Sequence, residues 1–149
     1  MDSVCQEIES WKPSTLSVPR GPNSSSAERP EIAFLGRSNV GKSSLLNVLT
    51  GKQGLAFTSS KPGCTQLINF YRVDGKYCFV DLPGYGFARV PLDVKARWKR
   101  LIESYLLNRK ALELAIVLVD ARRGFMERDL ELKQWLEFHN LPYLVWQPR

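Results

Sequence analysis

Hydrophobic residues form short continuous runs and spaced patterns, and the two alternate along the chain after residue 30. Ile32–Leu35 is a continuous apolar run that ends at Gly36, which is typical of a buried parallel strand. The segments Leu67–Val73 and Lys76–Val80 predict two further strands. Asp74-Gly75 lies between them and predicts a hairpin turn.

Helices are predicted where apolar residues recur at steps of three and four. Ser43–Leu49 fits a short helix that ends at Gly51, and Leu92–Asn108 fits a long helix. The apolar stripe of the long helix consists of Val94, Trp98, Leu101, Ile102 and Tyr105. The remaining pattern predicts a central strand at Leu114–Val119, a helix at Met126–His139 and a last strand at Leu141–Trp146. This alternation predicts an α/β fold, a mostly parallel sheet flanked by helices.

The first thirty residues differ in composition from the rest of the chain. They contain four prolines and the run Ser24-Ser25-Ser26, and they offer few apolar side chains for a core. We therefore expect a flexible N-terminal arm at residues 1–30 and one folded domain at residues 31–149.

Composition narrows the class of protein. The chain has 149 residues with 44 % hydrophobic and 24 % charged side chains, as soluble globular domains do. It shows neither a membrane-spanning run nor a secretory signal, so we expect a cytoplasmic protein without a membrane partner. The three cysteines, Cys5, Cys64 and Cys78, form no Cys-x-x-Cys pair, which argues against a disulfide framework or a structural zinc site.

A phosphate-binding loop follows the first predicted strand and opens the first predicted helix. Residues 36–43 match G-x-x-x-x-G-K-[ST]: Gly36, Arg37, Ser38, Asn39, Val40, Gly41, Lys42 and Ser43. The glycines allow backbone N–H groups to point at phosphate oxygens, and the helix N-terminus adds partial positive charge. Lys42 would contact the β- and γ-phosphates, and the Ser43 hydroxyl would bind Mg²⁺.

A second motif stands at the end of an apolar strand. Asp81-Leu82-Pro83-Gly84 matches D-x-x-G, in which the aspartate holds Mg²⁺ through water and the glycine N–H faces the γ-phosphate. D-x-x-G alone is more often a turn, but the upstream loop supplies the other half of one metal site.

The segment between the two motifs, Lys61–Gln66, is glycine-containing and carries Thr65. A threonine hydroxyl there could bind Mg²⁺ only while the γ-phosphate is present, which would make the segment a nucleotide switch. The alternative is an ordinary solvent loop.

Four stretches together resemble the EngB family of P-loop GTPases, relatives of the TrmE/Era group. They are GRSNVGKSSLLN, PGCTQLINFY, VDLPGYGFA and VDARRG with the following RDLE. The resemblance runs from about Pro30 to Pro142. It implies a Ras-like G domain that binds GTP and GDP with Mg²⁺, a role in large ribosomal subunit assembly, and a link to cell division and septation.

The resemblance also implies the site residues. Nucleotide would be bound by residues 36–43, by Asp81, Leu82, Pro83 and Gly84, and by Gly63, Cys64, Thr65, Gln66 and Leu67. Ser43 and Thr65 would ligate Mg²⁺ directly, and Asp81 through water. Family members often carry a basic residue where this chain has Cys64, so one positive charge near the phosphates is absent.

Two positions bear on catalysis. Tyr85 stands where Ras-like enzymes carry the glutamine that orients water, so we expect slow GTP hydrolysis and name no catalytic residue. Asn39 matches the asparagine that helps TrmE-like relatives bind K⁺. The alternative for Asn39 is a loop residue that tolerates a tight turn.

The guanine-reading segment [NT]-K-x-D is absent, because Leu141–Val145 is followed by Trp146-Gln147-Pro148-Arg149. We expect a G domain without its C-terminal strand and helix. A one-base deletion converts codons for Val-Val-Ala-Thr-Lys into codons for Val-Trp-Gln-Pro-Arg, which suggests a frameshift. There are two alternatives to a GTP-binding protein: a P-loop ATPase or kinase, and a truncated form without guanine selectivity.

Positive charge is concentrated in one part of the chain. The net charge is +6, and the span Arg89–Lys110 contains seven basic residues but only two acidic ones, Asp93 and Glu103. They are Arg89, Lys95, Arg97, Lys99, Arg100, Arg109 and Lys110. A basic helix face suits the phosphates of ribosomal RNA, although such faces are often merely solvated. We expect a monomer that contacts the large subunit.

Overall fold

The computed structural model describes residues 8–11, 29–51, 68–73, 76–85 and 91–148. This part of the chain contains six strands and three helices. In chain order they are β1 (Ile8–Trp11), β2 (Glu31–Gly36), α1 (Lys42–Thr50), β3 (Ile68–Val73), β4 (Tyr77–Asp81), α2 (Leu92–Asn108), β5 (Leu112–Leu118), α3 (Glu127–Phe138) and β6 (Tyr143–Trp146). The predicted α/β fold class is confirmed.

The six strands form one sheet in the order β1-β3-β4-β2-β5-β6. β2 lies at its centre and pairs in parallel with β4 on one side and β5 on the other, and β5 pairs in parallel with β6. The predicted β3–β4 hairpin is antiparallel. The carboxyl ends of β2, β4 and β5 therefore meet at one edge of the sheet, where open α/β sheets bind ligands.

β1 lies inside the segment for which the sequence pattern predicted no strand. It pairs antiparallel with β3, with Ile8 opposite Tyr71 and Trp11 opposite Ile68. Four residues give a weak pattern signal, because so short a segment shows little periodicity and its pairing with β3 is not encoded locally. The boundary between arm and domain at residue 30 stays a prediction.

Side chains of β2 alternate between two hydrophobic clusters, one on each face of the sheet. Ala33 and Leu35 pack with side chains of α2 and α3, whereas Phe34 packs with Leu46 of α1. The rings of Phe34 and Phe79 meet edge to face at 5.1 Å. The helices thus cover both faces of the sheet, which keeps its strands buried and leaves the loop edge accessible.

An ion pair fixes the amino end of β2 against α2. The guanidinium of Arg109 donates to Glu31 at 2.6 Å, and the Tyr105 hydroxyl donates to the same carboxylate at 2.7 Å. The Arg109 side chain is 12 % exposed. Arg109 therefore does not belong to a solvated basic face, which corrects its place among the seven basic residues of Arg89–Lys110.

Within the described residues, no helix combines the length and the hydropathy that crossing a membrane requires.

Candidate functional site at the carboxyl edge of the sheet

The phosphate-binding loop runs from the end of β2 to the start of α1. Gly41 and Asn39 have positive φ angles of 98° and 63°, the left-handed region that glycine and asparagine tolerate best. Gly36 is required for a different reason, because a Cβ there would lie 2.7 Å from Val40 Cγ1. The Gly41 carbonyl accepts the first helical hydrogen bond, from the Leu45 N–H at 2.9 Å. Backbone shape, rather than side chains, thus defines this loop.

Lys42, the first residue of α1, connects the two predicted motifs. Its ammonium group contacts the Asp81 carboxylate and donates to the Leu82 carbonyl at 2.7 Å. The residue is only 7 % exposed. The lysine of the loop and the aspartate of D-x-x-G are therefore in direct contact at the carboxyl edge of the sheet.

Asp81 is the last residue of β4 and is 2 % exposed. Burial raises the pKa of its carboxyl group above the ordinary value, and the Lys42 ammonium opposes that increase. A cation beside a buried carboxylate is needed to keep it charged, and Lys42 has that position.

The D-x-x-G segment lies directly against the loop. The Tyr85 N–H donates to the Gly36 carbonyl at 3.2 Å, and the Ser38 N–H donates to the Tyr85 carbonyl at 2.9 Å. Gly84 cannot carry a side chain here, since a Cβ would lie 3.0 Å from Ser38 Oγ and 3.2 Å from the Ser38 nitrogen. A shift of either segment must therefore move the other.

Tyr85 contacts α3 through its side chain. Its hydroxyl donates to Asp129 Oδ1 at 2.8 Å, and the other oxygen of this carboxylate accepts the Met126 N–H at 2.8 Å. Asp129 is fully buried, and burial together with this carboxylate raises the pKa of Tyr85. Sequence reasoning missed Asp129, although an aspartate in the first turn of a helix that caps its own N-terminus is a recognisable pattern.

Part of the predicted site lies outside the described residues. Gly63, Cys64, Thr65, Gln66 and Leu67 belong there, and so does Arg89 of the basic span. Ser43 is the second residue of α1 and is half-buried.

The oxygens at this edge suit a hard cation. The Ser43 hydroxyl and the Asp81 carboxylate belong to the ligand types that Mg²⁺ prefers. The described residues hold no group of three or more His, Cys, Asp or Glu side chains that could bind a metal alone. A site with one carboxylate fits Mg²⁺ bound together with a phosphate group, because such ions take few protein ligands.

The basic face of α2 is exposed at three of its four central residues. Arg97, Lys99 and Arg100 are exposed and Lys95 is half-buried. Arg97 pairs with Asp93 at 3.3 Å and Lys99 with Glu103 at 3.8 Å, both along the helix. Such exposed pairs contribute little to stability and leave the cations accessible.

The family model described as 50S ribosome-binding GTPase matches residues 31–147. The chain is 61 % identical over 138 residues to a probable GTP-binding protein EngB of Solibacter usitatus, which covers 93 % of the chain and 68 % of that relative. It is 56 % identical over 118 residues to the EngB relative of Geobacter metallireducens, covering 79 % of the chain and 58 % of that relative. The chain thus spans between about half and two thirds of the length of such relatives.

Solved structures agree with the sequence matches. A crystal structure of a probable GTP-binding protein EngB superposes with a TM-score of 0.62 at 32 % identity, covering 77 % of this chain and 68 % of that one. The crystal structure of mGMPPNP-bound NFeoB from S. thermophilus superposes with a TM-score of 0.59 at 28 % identity, covering 78 % of this chain and 42 % of that one. The chain therefore belongs to the EngB family of GTP-binding proteins and carries its 50S ribosome-binding GTPase domain.

Proposed function

We propose that this chain binds GTP and GDP with Mg²⁺ and acts as a nucleotide switch during assembly of the large ribosomal subunit, in support of cell division and septation. The observation that carries the proposal is the contact of Lys42 with both Asp81 and the Leu82 carbonyl. It joins the phosphate-binding and metal-binding motifs in one site, at the sheet edge where such ligands bind.

The proposed roles follow the two motifs. Backbone N–H groups of residues 36–43 hold the phosphates, and Lys42 contacts the β- and γ-phosphates. Gly84 presents its N–H to the γ-phosphate, with Leu82 and Pro83 completing the segment. Residues 63–67 would bind nucleotide and act as the switch.

Mg²⁺ would be held by Ser43 and Thr65 directly and by Asp81 through water. The ion neutralises the negative charge of the β- and γ-phosphates when it is bound. K⁺ beside Asn39 is a proposed second cation.

Slow hydrolysis is part of the proposal. The hydroxyl of Tyr85 is engaged with Asp129, so it offers neither an amide nor a free hydroxyl to orient an attacking water. The rate would then depend on a partner or on K⁺.

The proposed partner is the RNA of the large ribosomal subunit, bound by a monomer. Support comes from the basic face of α2, with Lys95, Arg97, Lys99 and Arg100, and from the net charge of +6. The description of the matching family as ribosome-binding points the same way.

The test is a titration of the purified chain with fluorescent GDP in Mg²⁺ and K⁺, with GTP, GDP and ATP as separate competitors. We expect GTP and GDP to compete and ATP to fail. Equal competition by ATP would favour a P-loop ATPase or kinase, or a form that has lost guanine selectivity. Absence of binding would contradict the proposal.

A further inference from the structure

A cavity of about 400 Å³ lies beside the phosphate-binding loop and is lined by three arginines. Arg37, Ser38 and Asn39 form one wall, and Asp120, Arg122 and Arg123 form the other. The two walls meet because β2 and β5 are adjacent parallel strands, with Gly36 opposite Leu118. Both arginine-bearing segments thus leave the sheet at the same edge.

The turn after β5 is built to project its arginines. The Asp120 carboxylate accepts the N–H groups of Arg122 and Arg123 at 2.7 and 3.0 Å. The Asp120 carbonyl accepts the Gly124 N–H at 2.9 Å, and Gly124 has a φ of 66°. The Asp120 carboxylate and backbone groups hold the turn, and the exposed side chains of Arg122 and Arg123 are not needed for it.

The charge of the cavity is unbalanced. Its lining contains three arginines and a single acidic residue, Asp120, whose carboxylate already accepts hydrogen bonds within the turn. In the part of the chain that the structure describes, Arg37, Arg122 and Arg123 form no ion pair. By contrast, Arg97, Arg109 and Arg128 each pair with a carboxylate. Guanidinium groups that are not held in an ion pair are suited to bidentate recognition of phosphate.

We propose that this arginine cavity binds a backbone phosphate of RNA. RNA is favoured over an acidic protein because the chain has a second surface of the same sign on α2, and each basic side chain that neutralises a backbone phosphate adds to the affinity for a nucleic acid. The proposal rests on the proposed function in taking the ribosome as the source of the RNA. It adds a contact point at the nucleotide loop itself.

The test measures binding of a fluorescein-labelled RNA hairpin to the full chain by anisotropy across a KCl series. The variant R122Q/R123Q removes two cavity charges, and R128Q/K133Q removes two charges from α3 that already pair with glutamates. We expect the cavity variant to bind RNA about tenfold more weakly and to lose about one unit of salt slope per lost phosphate contact. The control variant should change affinity by less than about twofold.

Equal loss in the two variants would overturn the proposal. So would an equal loss of fluorescent GDP affinity in R122Q/R123Q, because the arginines would then serve the nucleotide. An equal loss of labelled polyglutamate binding would assign the cavity to an acidic protein instead. Circular dichroism of both variants confirms that they are folded.

The same measurements separate this inference from the proposed function. Guanine-selective GDP binding by the wild-type chain, with no RNA effect of R122Q/R123Q, would leave the nucleotide switch standing and refute the cavity. Weaker RNA binding by R122Q/R123Q, together with no GDP binding by the wild-type chain, would support the cavity and refute the nucleotide switch.

Discussion

The hydroxyl of Tyr85 donates a 2.8 Å hydrogen bond to Asp129, 44 positions later in the chain. Asp129 is fully buried and also accepts the Met126 N–H at the start of α3. The backbone of Tyr85 meanwhile pairs with the phosphate-binding loop through Gly36 and Ser38. One residue therefore connects the D-x-x-G segment to both the loop and α3, so motion of this segment is transmitted to α3 or is resisted by it.

Replacing Tyr85 by Phe should destabilise the fold. The substitution removes only the hydroxyl and leaves Asp129 Oδ1 buried without its donor, at a cost of about 2 kcal/mol in the free energy of unfolding. Urea denaturation measures this loss as a lower midpoint at unchanged slope.

Tyr77→Phe is the matched control, because Tyr77 is 46 % exposed. Its free energy of unfolding should stay within about 0.5 kcal/mol of the wild-type value. Equal midpoints for the two variants would show that the hydrogen bond to Asp129 contributes nothing.

The central elements could be predicted because their signals are local. The predicted helix Leu92–Asn108 has the bounds of α2, and the run Ile32–Leu35 lies within β2. The proximity of the two motifs could be predicted because each is a short contiguous segment at the end of a strand, whereas the direct contact of Lys42 with Asp81 was not predicted. The Tyr85–Asp129 bond and the pairing of Arg109 with Glu31 were not, since each depends on how distant elements pack. β1 was missed for the same reason, because its place is set by β3.

Gly36→Ala should weaken nucleotide binding by reshaping the loop. The added Cβ would lie 2.7 Å from Val40 Cγ1 and 3.3 Å from Leu118 Cβ, and the branched Val40 side chain has little freedom to move. Strain of this kind costs about 1–3 kcal/mol, which predicts a loss of about tenfold or more in fluorescent GDP affinity.

The double variant G36A/V40A should recover part of that affinity, because it removes the closest clash and leaves the contact with Leu118. Gly51→Ala serves as the control. Gly51 has a φ of 66° at the end of α1, and among the described residues no atom beyond its chain neighbours lies within 4 Å of an added Cβ, so stability should fall and GDP affinity should not. A GDP affinity of G36A equal to that of the wild type would contradict the steric explanation.

The turn after β5 should loosen in acid. Hydrogen bonds from the Arg123 and Arg122 N–H groups lower the pKa of Asp120 from its ordinary value of 3.8. A lowered pKa in the folded state means that the stabilisation is complete above the unfolded-state value and is lost as pH falls through the folded-state value. We expect the amide chemical shifts of Arg122 and Arg123 to titrate together below about pH 4.

Asp120→Asn provides the comparison for that titration, since its amide oxygen can accept the same N–H groups but does not ionise in this range. The two amide shifts should be flat in the variant. Flat shifts in the wild-type chain as well would show that the carboxylate does not hold the turn.

Combining Lys42→Ala with a second substitution should separate the role of Lys42 in stabilising the fold from its role in nucleotide binding. Lys42→Ala alone removes the cation beside Asp81, which is only 2 % exposed in the structure. A buried carboxylate without its cation predicts a loss of about 3 kcal/mol in the free energy of unfolding. Adding Asp81→Asn removes the buried charge, so K42A/D81N should regain much of the stability in urea denaturation. Fluorescent GDP affinity should remain low in both variants, because the ammonium that contacts the phosphates is absent.

Lys76→Ala, at an exposed lysine directly before β4, is the control and should change neither the free energy of unfolding nor the GDP affinity. A double variant no more stable than K42A would contradict this explanation, because the loss in K42A would then not come from the unpaired charge of Asp81.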